Sequence, residues 1–240
     1  MGELIEFSFA IILTMKALAF AMDREAKPLL DSSRITASYK YGFAKIYEAE
    51  FMNTKYVAVV SGIGKVFSAA GITTLIEHCA PESIVNVGIC ASLEPQKAPL
   101  FSCLIGKSFI QHDFDTTSFG DPKGMLPGIK LVEVPTDKRL LGDLKKTAKR
   151  EKVPFYIGKI ATGDQFIDNA SRILYIKTSF DVCSVDMESG AMAQVCYAYG
   201  IPFGCLRVVS DSGNSGEYES NSEKAIEVAT TLAKQYLILD

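Results

Sequence analysis

The sequence predicts a three-layer α/β/α sandwich around a central mixed β-sheet. Short apolar runs alternate with segments of helical spacing along most of the 240 residues, a pattern typical of α/β proteins. The stretches 35–61 and 103–111 continue in strands without an intervening helix. Because parallel strands need a crossover between them, these stretches indicate that the sheet is mixed rather than purely parallel.

The individual elements follow from the same patterns. Apolar runs predict strands at 17–21, 55–61, 83–88, 103–111, 155–161, 182–186 and 202–209. Helical spacing predicts helices at 23–30, 64–79, 136–152, 188–199 and 222–237, and Thr136 is the expected N-cap of the third of these. The sequence contains no repeat, low-complexity tract or linker, so residues 15–240 are interpreted as one domain.

Residues 1–14 precede the first predicted strand and need a separate interpretation. The apolar run at 7–15 is shorter than the ~20 residues of a membrane-spanning helix, so no membrane span is expected. Glu3 and Glu6 stand where a secretory signal carries basic residues. We interpret residues 1–14 as an N-terminal extension or an upstream start, with an export signal as the alternative.

The charge pattern argues against a nucleic-acid-binding surface. The 25 basic and 28 acidic residues give a net charge of −3, and the basic residues are scattered rather than gathered in a stripe. The six cysteines include no C-x-x-C pair and mostly lie in apolar runs, which favours a reducing, cytoplasmic location. His78 and His112 are interpreted as structural, so no metal site is predicted.

Polar side chains gather at the ends of the predicted strands. They are Asp23, Glu25, Ser61, Asp164, Asp186, Glu188, Ser210 and Asp211. Ligands of open α/β sheets bind beyond the carboxyl ends of the strands. We therefore expect a small-molecule site at this edge of the sheet.

The segment Arg-Val-Val-Ser-Asp at 207–211 places a carboxyl group at the end of an apolar strand. Partial desolvation raises the pKa of such a group and lets it donate a proton near neutrality, for example to a leaving base. The alternative is that Asp211 caps the following segment through backbone hydrogen bonds.

The other segments carry similar alternatives. Glu188 lies where a strand becomes a helix and can accept hydrogen bonds from two vicinal ribose hydroxyls. The alternative is that the helix macrodipole favours an acid at this N-terminus, which would explain one acid but not both Asp186 and Glu188. Phe166 can stack on a purine or pack in the core. The glycines of Ser-Gly-Ile-Gly at 61–64 permit close backbone approach, but match neither phosphate-binding motif. Acids such as Glu25 are common in a first helical turn.

Seven segments, in this order, resemble the nucleoside phosphorylase/hydrolase family over about residues 15–237. They are Ala-Met-Asp-Arg-Glu (21–25), Ser-Gly-Ile-Gly-Lys-Val (61–66), His-Asp-Phe-Asp-Thr-Thr-Ser-Phe-Gly (112–120), Leu-Pro-Gly (126–128), Thr-Gly-Asp-Gln-Phe-Ile (162–167), Val-Asp-Met-Glu (185–188) and Arg-Val-Val-Ser-Asp (207–211). Within the family, the similarity is to hydrolases of 5′-methylthioadenosine and S-adenosylhomocysteine, with 5′-deoxyadenosine a further candidate substrate. The resemblance implies a nucleoside phosphorylase-like fold and no cofactor.

The resemblance also implies roles for individual residues. Glu25 would activate the attacking water, and Asp211, oriented by Ser210, would protonate N7 of the departing adenine. The implied substrate contacts are Met187 and Glu188 to the ribose, Phe166 stacked on the base, the backbone of Ile167 on its Watson–Crick edge, and Met22 and Ile63 along the ribose and 5′ pocket.

Further positions concern the 5′ substituent and the partner subunit. Phe119 and Pro127 match family positions that reach into the neighbouring subunit's 5′-thio pocket, which implies a homodimer. Tyr218 is the candidate for an aromatic lid. The chain departs from the family's Gly/Ser-rich segment with Gly-Ile-Cys-Ala-Ser at 88–92, so close backbone approach to the ribose is less assured.

Three rival functions remain open from the sequence. A purine nucleoside phosphorylase would need donors for phosphate, where this chain has Asn86 and Ile89. A futalosine-type nucleoside hydrolase would take a bulkier 5′ substituent. A non-catalytic nucleoside-binding or adhesion protein would not need Glu25, Glu188 and Asp211 together.

Overall fold

Residues 15–239 are the part of the chain that the computed structural model describes, and they include ten strands that form one sheet. The interpretation of residues 1–14 lies outside this part. The strands are β1 (Lys16–Phe20), β2 (Arg34–Tyr41), β3 (Ala44–Phe51), β4 (Thr54–Val60), β5 (Ser83–Ser92), β6 (Cys103–Gln111), β7 (Val134–Pro135), β8 (Phe155–Thr162), β9 (Ser184–Asp186) and β10 (Phe203–Asp211).

The helical segments supply the outer layers. The α-helices are α1 (Asp23–Leu30), α2 (Lys65–Cys79), α3 (Lys138–Arg150), α4 (Ala170–Phe180), α5 (Ser189–Tyr199) and α6 (Ser215–Leu237), and a short 3₁₀ helix spans Thr117–Phe119. Of the helices in residues 15–239, none combines the length and the apolarity that crossing a membrane requires.

The sheet is mixed, as predicted. Its strand order is β10-β6-β8-β9-β5-β1-β4-β3-β2, and β10 also pairs with β5. The pairs β5–β1, β1–β4, β10–β5, β6–β8 and β8–β9 are parallel, whereas β2–β3, β3–β4, β10–β6 and β5–β9 are antiparallel. The second β10 pairing closes β5, β10, β6, β8 and β9 into a ring. The ring brings the last residues of several parallel strands together.

Two apolar clusters lie on opposite faces of the sheet. On one face, α1, α3 and α6 pack through residues such as Leu29, Leu144 and Leu232. On the other, α2 and α5 pack through residues such as Leu75 and Met192. This arrangement confirms the three-layer α/β/α fold class.

Helix boundaries differ from the prediction where polar residues begin or end a helix. Thr136 is not an N-cap: its hydroxyl donates to the Gly106 carbonyl at 2.6 Å, and α3 begins after Asp137, whose carboxylate accepts from Leu140 N at 3.0 Å. The last helix starts at Ser215 rather than 222 because Asn214 caps it. The helix α4 was not predicted.

Two strands are longer than predicted, so residues expected in loops beside the site belong to the sheet instead. The strand β5 continues from Gly88 to Ser92 by pairing with β10 and β9. The strand β10 includes Ser210 and Asp211. The departing segment 88–92 is therefore part of the sheet, and Asp211 is the last residue of a buried strand rather than a residue that follows the strand.

Candidate active site

One pocket opens where β5, β9 and β10 end and α1 and α5 begin. Ten of the twelve predicted site residues line it: Met22, Glu25, Ile63, Phe166, Ile167, Met187, Glu188, Ser210, Asp211 and Tyr218. The segment 89–91 of β5 lines the same pocket together with Gln165, Val185 and Asp186. The closed part of the sheet thus gathers side chains that are up to almost two hundred residues apart in sequence, such as Met22 and Tyr218.

Glu25 occupies the first turn of α1 and is fully buried. One carboxylate oxygen, Oε2, accepts from the backbone N–H groups of Ala21 and Met22 at 3.1 Å each, and Oε1 accepts from Ile89 N at 3.2 Å. Burial raises the pKa of Glu25, although the charge of Arg207 and these three donors oppose the rise. The carboxylate is thus held in a fixed orientation beside a cation.

Gly88 explains how Glu25 and Arg207 approach one another so closely. A Cβ atom at position 88 would lie 2.2 Å from Arg207 Nη1 and 2.5 Å from Glu25 Oε1. Both distances are too short for any side chain. Although the family's Gly/Ser-rich segment is altered here, its first glycine is retained where two charged groups need the space.

Arg207 is the centre of a buried charge network. Its Nε donates to Asp186 Oδ2 at 3.0 Å, and its Nη2 donates to Asn86 Oδ1 at 2.7 Å and to Glu188 Oε2 at 3.4 Å. The single guanidinium therefore interacts electrostatically with three buried carboxyl groups, those of Asp186, Glu188 and Glu25. Burying several like charges around one cation favours retention of a proton on one of them.

Glu188 carries the clearest sign of that retained proton. Burial raises the pKa of Glu188 to about 7; the charge of Arg207 opposes the rise, and those of Asp186 and Glu25 add to it. Its Oε1 accepts from the backbone N–H of Gly64 at 3.1 Å. Because Met187 and Glu188 both line the pocket, a carboxyl group and an apolar side chain are presented together.

Asp211 has a different set of partners. Its Oδ1 accepts from the backbone N–H groups of Gly213 at 2.8 Å and Asn214 at 3.4 Å, so the capping interpretation holds for this oxygen. Its Oδ2 lies 2.8 Å from the Ser210 hydroxyl, which also lies 3.2 Å from the Cys90 carbonyl. Burial raises the pKa of Asp211, and the hydrogen bonds from Ser210 and the turn oppose the rise.

Aromatic side chains border the pocket on its exposed side. Phe166 and Tyr218 meet edge to face with their ring centroids 5.3 Å apart. The Tyr218 hydroxyl accepts from the guanidinium of Arg24. Phe166 is about half exposed and Ile167 is buried. A flat ligand entering the pocket would thus meet one ring that is free to stack and a second that is held at its rim.

Phe119 and Pro127 do not line this pocket. Phe119 ends the 3₁₀ helix with 87% of its surface exposed, and Pro127 follows Leu126, which forms an isolated bridge with Leu131. Their place in a partner's pocket stays a prediction.

Sequence reasoning missed the roles of three buried residues. Arg207 entered only as part of a motif, Asp186 was expected near the site but was given no role, and Asn86 was considered only as a position unable to bind phosphate. The available signal was an arginine inside the apolar strand at 203–209. A charge in a fully buried strand requires partners such as carboxylates, and Asp186 was an acid of the expected site that still had no role.

Both histidines are packed against neighbouring groups. The ring of His78 stacks on Tyr41 at 4.0 Å. The ring of His112 is buried against Gly163, where an added Cβ would lie 2.3 Å from Nε2. Burial lowers the pKa of His112, so a neutral imidazole is favoured there.

Comparison with known proteins identifies the family. Residues 16–238 match the Phosphorylase superfamily. A 5′-methylthioadenosine/S-adenosylhomocysteine nucleosidase of Actinobacillus succinogenes is 33% identical over 87% of this chain and 90% of its own. The structure of the same kind of nucleosidase from Neisseria meningitidis, in complex with methylthio-immucillin-A, aligns with a TM-score of 0.89 and 27% identity over 93% of this chain and 98% of that one.

A futalosine hydrolase of Helicobacter pylori aligns with a TM-score of 0.87 and 24% identity over 93% of this chain and 97% of its own, a similarity that shows the fold alone. The family match spans nearly all of the described residues, including every residue of the pocket. The chain therefore belongs to the Phosphorylase superfamily.

Proposed function

We propose that this protein is an N-glycosyl hydrolase that cleaves 5′-methylthioadenosine and S-adenosylhomocysteine to adenine and the corresponding thioribose. The observation that carries the proposal is that Glu25, Glu188 and Asp211 line one pocket. Similarity to nucleosidases named for these two substrates supports the choice of substrate. 5′-Deoxyadenosine, which has hydrogen in place of the 5′-thio substituent, is a further candidate.

The chemistry assigns one carboxyl group to each side of the scissile bond. Water attacks C1′ and transfers a proton to Glu25, the C1′–N9 bond breaks, and its electron pair moves onto the purine. Asp211 gives its proton to N7, so that adenine leaves as a neutral base. Positive charge develops on the sugar in the transition state, and a correctly placed acid or base contributes about 10²–10⁴ in rate.

The remaining contacts are those that the family resemblance implies for residues that line the pocket. Glu188 accepts hydrogen bonds from the ribose hydroxyls, with Met187 against the sugar. The ring of Phe166 stacks on adenine, and the backbone of Ile167 binds its Watson–Crick edge. Ser210 orients the carboxyl group of Asp211. Met22 and Ile63 border the ribose and the 5′ substituent, and Tyr218 is the aromatic lid.

Two features favour water over phosphate as the nucleophile. Asn86 is buried, donating to the Ala19 carbonyl at 2.9 Å and accepting from Arg207, so its amide is already used. Ile89 offers an apolar side chain to the pocket. Phosphate would need free cationic or hydroxyl donors, and Arg207 is committed to carboxylates.

The second subunit and the location belong to the same proposal. We place Phe119 and Pro127 in the 5′ pocket of the partner in a homodimer, since Phe119 is exposed and Ile63 at the pocket is half exposed. The six free cysteines support a cytoplasmic location.

Release of adenine from 5′-methylthioadenosine, followed by its ultraviolet absorbance with and without phosphate, tests the proposal. We expect turnover that is independent of phosphate. Strict dependence on phosphate would establish the phosphorylase, and preference for a futalosine-type substrate would establish that rival hydrolase. Binding of the nucleoside without adenine release would establish the non-catalytic protein.

A further inference from the structure

Three segments beside the pocket are joined by a closed ring of polar contacts, which we call the clamp (Lys65, Asp113 and Asp164). Lys65 Nζ donates to Asp113 Oδ1 at 2.7 Å. Asp113 Oδ2 accepts from Asp164 N at 2.9 Å. Asp164 Oδ1 accepts from Lys65 N at 2.7 Å. The clamp thus ties the first residue of α2 to the segments that follow β6 and β8.

The clamp is better protected than an ordinary surface ion pair. The side chains of Lys65 and Asp113 are only 17% and 19% exposed. Burial raises the pKa of Asp113, but Lys65 and the Asp164 N–H outweigh it and hold that pKa below its ordinary value. Asp113 is therefore ionised at neutral pH, and the Lys65–Asp113 pair is a charged contact with little competition from water.

A second anchor connects Lys65 to α5, the neighbouring helix of the same layer. Lys65 Nζ also donates to Gln111 Oε1 at 3.2 Å, and Gln111 Nε2 donates to Gln194 Oε1 at 2.6 Å. Gln194 lies in α5, the helix that begins directly after Glu188. The lysine is therefore fixed against the same helix whose N-terminus carries the ribose-binding carboxylate of the proposed function.

The residue before Lys65 provides the link to the pocket. The backbone N–H of Gly64 donates to Glu188 Oε1 at 3.1 Å. Gly64 has a φ of +88°, and a Cβ atom there would lie 2.9 Å from Asp164 Oδ1. Only glycine adopts this backbone conformation readily and leaves room for Asp164. The clamp and the hydrogen bond to Glu188 therefore use adjacent peptide groups of one turn.

The position of this N–H matters because the other oxygen of Glu188 is weakly held. Glu188 Oε2 lies 3.4 Å from Arg207 Nη2, a guanidinium nitrogen that has shorter contacts with Asn86 and Asp186. The Gly64 N–H is the shorter of the two contacts and sets the rotation of the carboxylate. A turn that moved by a fraction of an ångström would alter which lone pairs face a ribose.

We propose that Lys65 and Asp113 are positioning residues, which hold the Gly64 N–H on Glu188 and so orient the carboxylate that binds the ribose hydroxyls. This role rests on the proposed function. It acts on recognition of the sugar rather than on the base, because the clamp reaches the pocket through Glu188.

Kinetics of variants on 5′-methylthioadenosine, with inhibition by adenine measured alongside, test the clamp. Lys65→Met and Asp113→Asn should raise KM about tenfold and lower kcat less than about threefold, because a ground-state contact is lost. The inhibition constant of adenine, which has no ribose, should change less than about twofold. Lys65→Arg keeps the charge and should restore KM to within about threefold of the wild type.

Lys159→Met is the matched control. Lys159 forms a comparable half-buried ion pair with Glu133 at 3.0 Å, and neither residue lines the pocket. Its KM should stay within about twofold of the wild type. Folding of each variant is checked by thermal unfolding.

Three results would overturn the proposed role of the clamp. They are an unchanged KM in folded Lys65→Met and Asp113→Asn, a tenfold rise of the adenine inhibition constant in these variants, or the same KM change in Lys159→Met. The activity of the wild type distinguishes failure of the clamp's proposed role from failure of the proposed function. Active wild type with unaffected variants overturns the clamp alone, whereas absence of adenine release by the wild type overturns the proposed function and the clamp's role with it.

Discussion

The two carboxyl groups that we assign to catalysis lie in the same pocket but have different surroundings. Glu25 is fastened by three backbone N–H groups and lies beside the guanidinium of Arg207. Asp211 closes a turn with one oxygen and meets the Ser210 hydroxyl with the other. Within the described residues, the hydrogen bonds to Asp211 come from neutral donors only.

This difference separates the roles of two chemically similar side chains. Burial raises the pKa of both, but a cation opposes the rise at Glu25. A carboxyl group beside a cation favours its charged form and can take a proton from water, whereas a buried one without a neighbouring cation keeps a proton more readily. The environment thus assigns the base to Glu25 and the acid to Asp211.

Removing the acid should have the largest effect. Asp211→Asn preserves the shape of the side chain but has no carboxyl proton to give, so we expect adenine release to fall by about 10²–10⁴-fold. The turn should persist because the amide oxygen can still accept from Gly213 N. Rates are measured by ultraviolet absorbance, and near-normal turnover in a folded variant would remove Asp211 from the acid role.

Removing the cation should damage stability. Arg207→Met leaves Glu25, Asp186 and Glu188 buried without their counter-charge, a change that costs about 3–5 kcal/mol. In a chain of this length the Tm should fall by about 6–20 °C at pH 7.

The fall in Tm caused by Arg207→Met should be smaller at pH 5, where the buried carboxyl groups that have lost their counter-charge become protonated. Arg207→Lys retains the charge and serves as the control, with a smaller expected loss. A Tm equal to that of the wild type would show that the carboxyl groups do not depend on Arg207.

A smaller effect concerns the proton on Glu188. Its pKa rises from 4.5 to about 7 on burial, so the native protein binds a proton there that the unfolded chain releases. The resulting stability is fully present below pH 4.5 and is lost as the pH rises through about 7.

Glu188→Gln is permanently neutral at this position. From pH 5 to pH 8, its Tm should therefore improve relative to the wild type by about 5 °C. A Tm difference that stays constant over this range would contradict the raised pKa.

The parts of the fold that depend on local patterns could be predicted from the sequence. Alternating apolar runs located the strands, and the residues after them supplied the pocket. The closure of β10 onto both β5 and β6 could not be predicted because it joins segments about a hundred residues apart. The polar first turns of α6 concealed its start, since Ser215 and Gly216 have low helix propensity.

The site also has some features that local sequence patterns predict and others that depend on contacts between distant segments. Glu25, Glu188 and Asp211 were visible as acids at the ends of apolar runs, and local reasoning suggested roles for Glu188 and Asp211, whereas the role of Glu25 came from the resemblance alone. The contacts of Arg207 and the clamp depend on how distant turns meet, for example Lys65 with Asp113. Phe119 and Pro127 came from the resemblance alone, because nothing in their local pattern indicates a second subunit.

A substrate that needs no acid tests the division of labour most directly. The 4-nitrophenyl glycoside of 5-methylthioribose has a leaving group that departs without protonation. On this substrate we predict that Asp211→Asn stays within about tenfold of the wild type, while Glu25→Gln loses about 10²-fold or more. Equal losses in both variants, or a larger loss in Asp211→Asn, would contradict the assignment of Glu25 as base and Asp211 as acid.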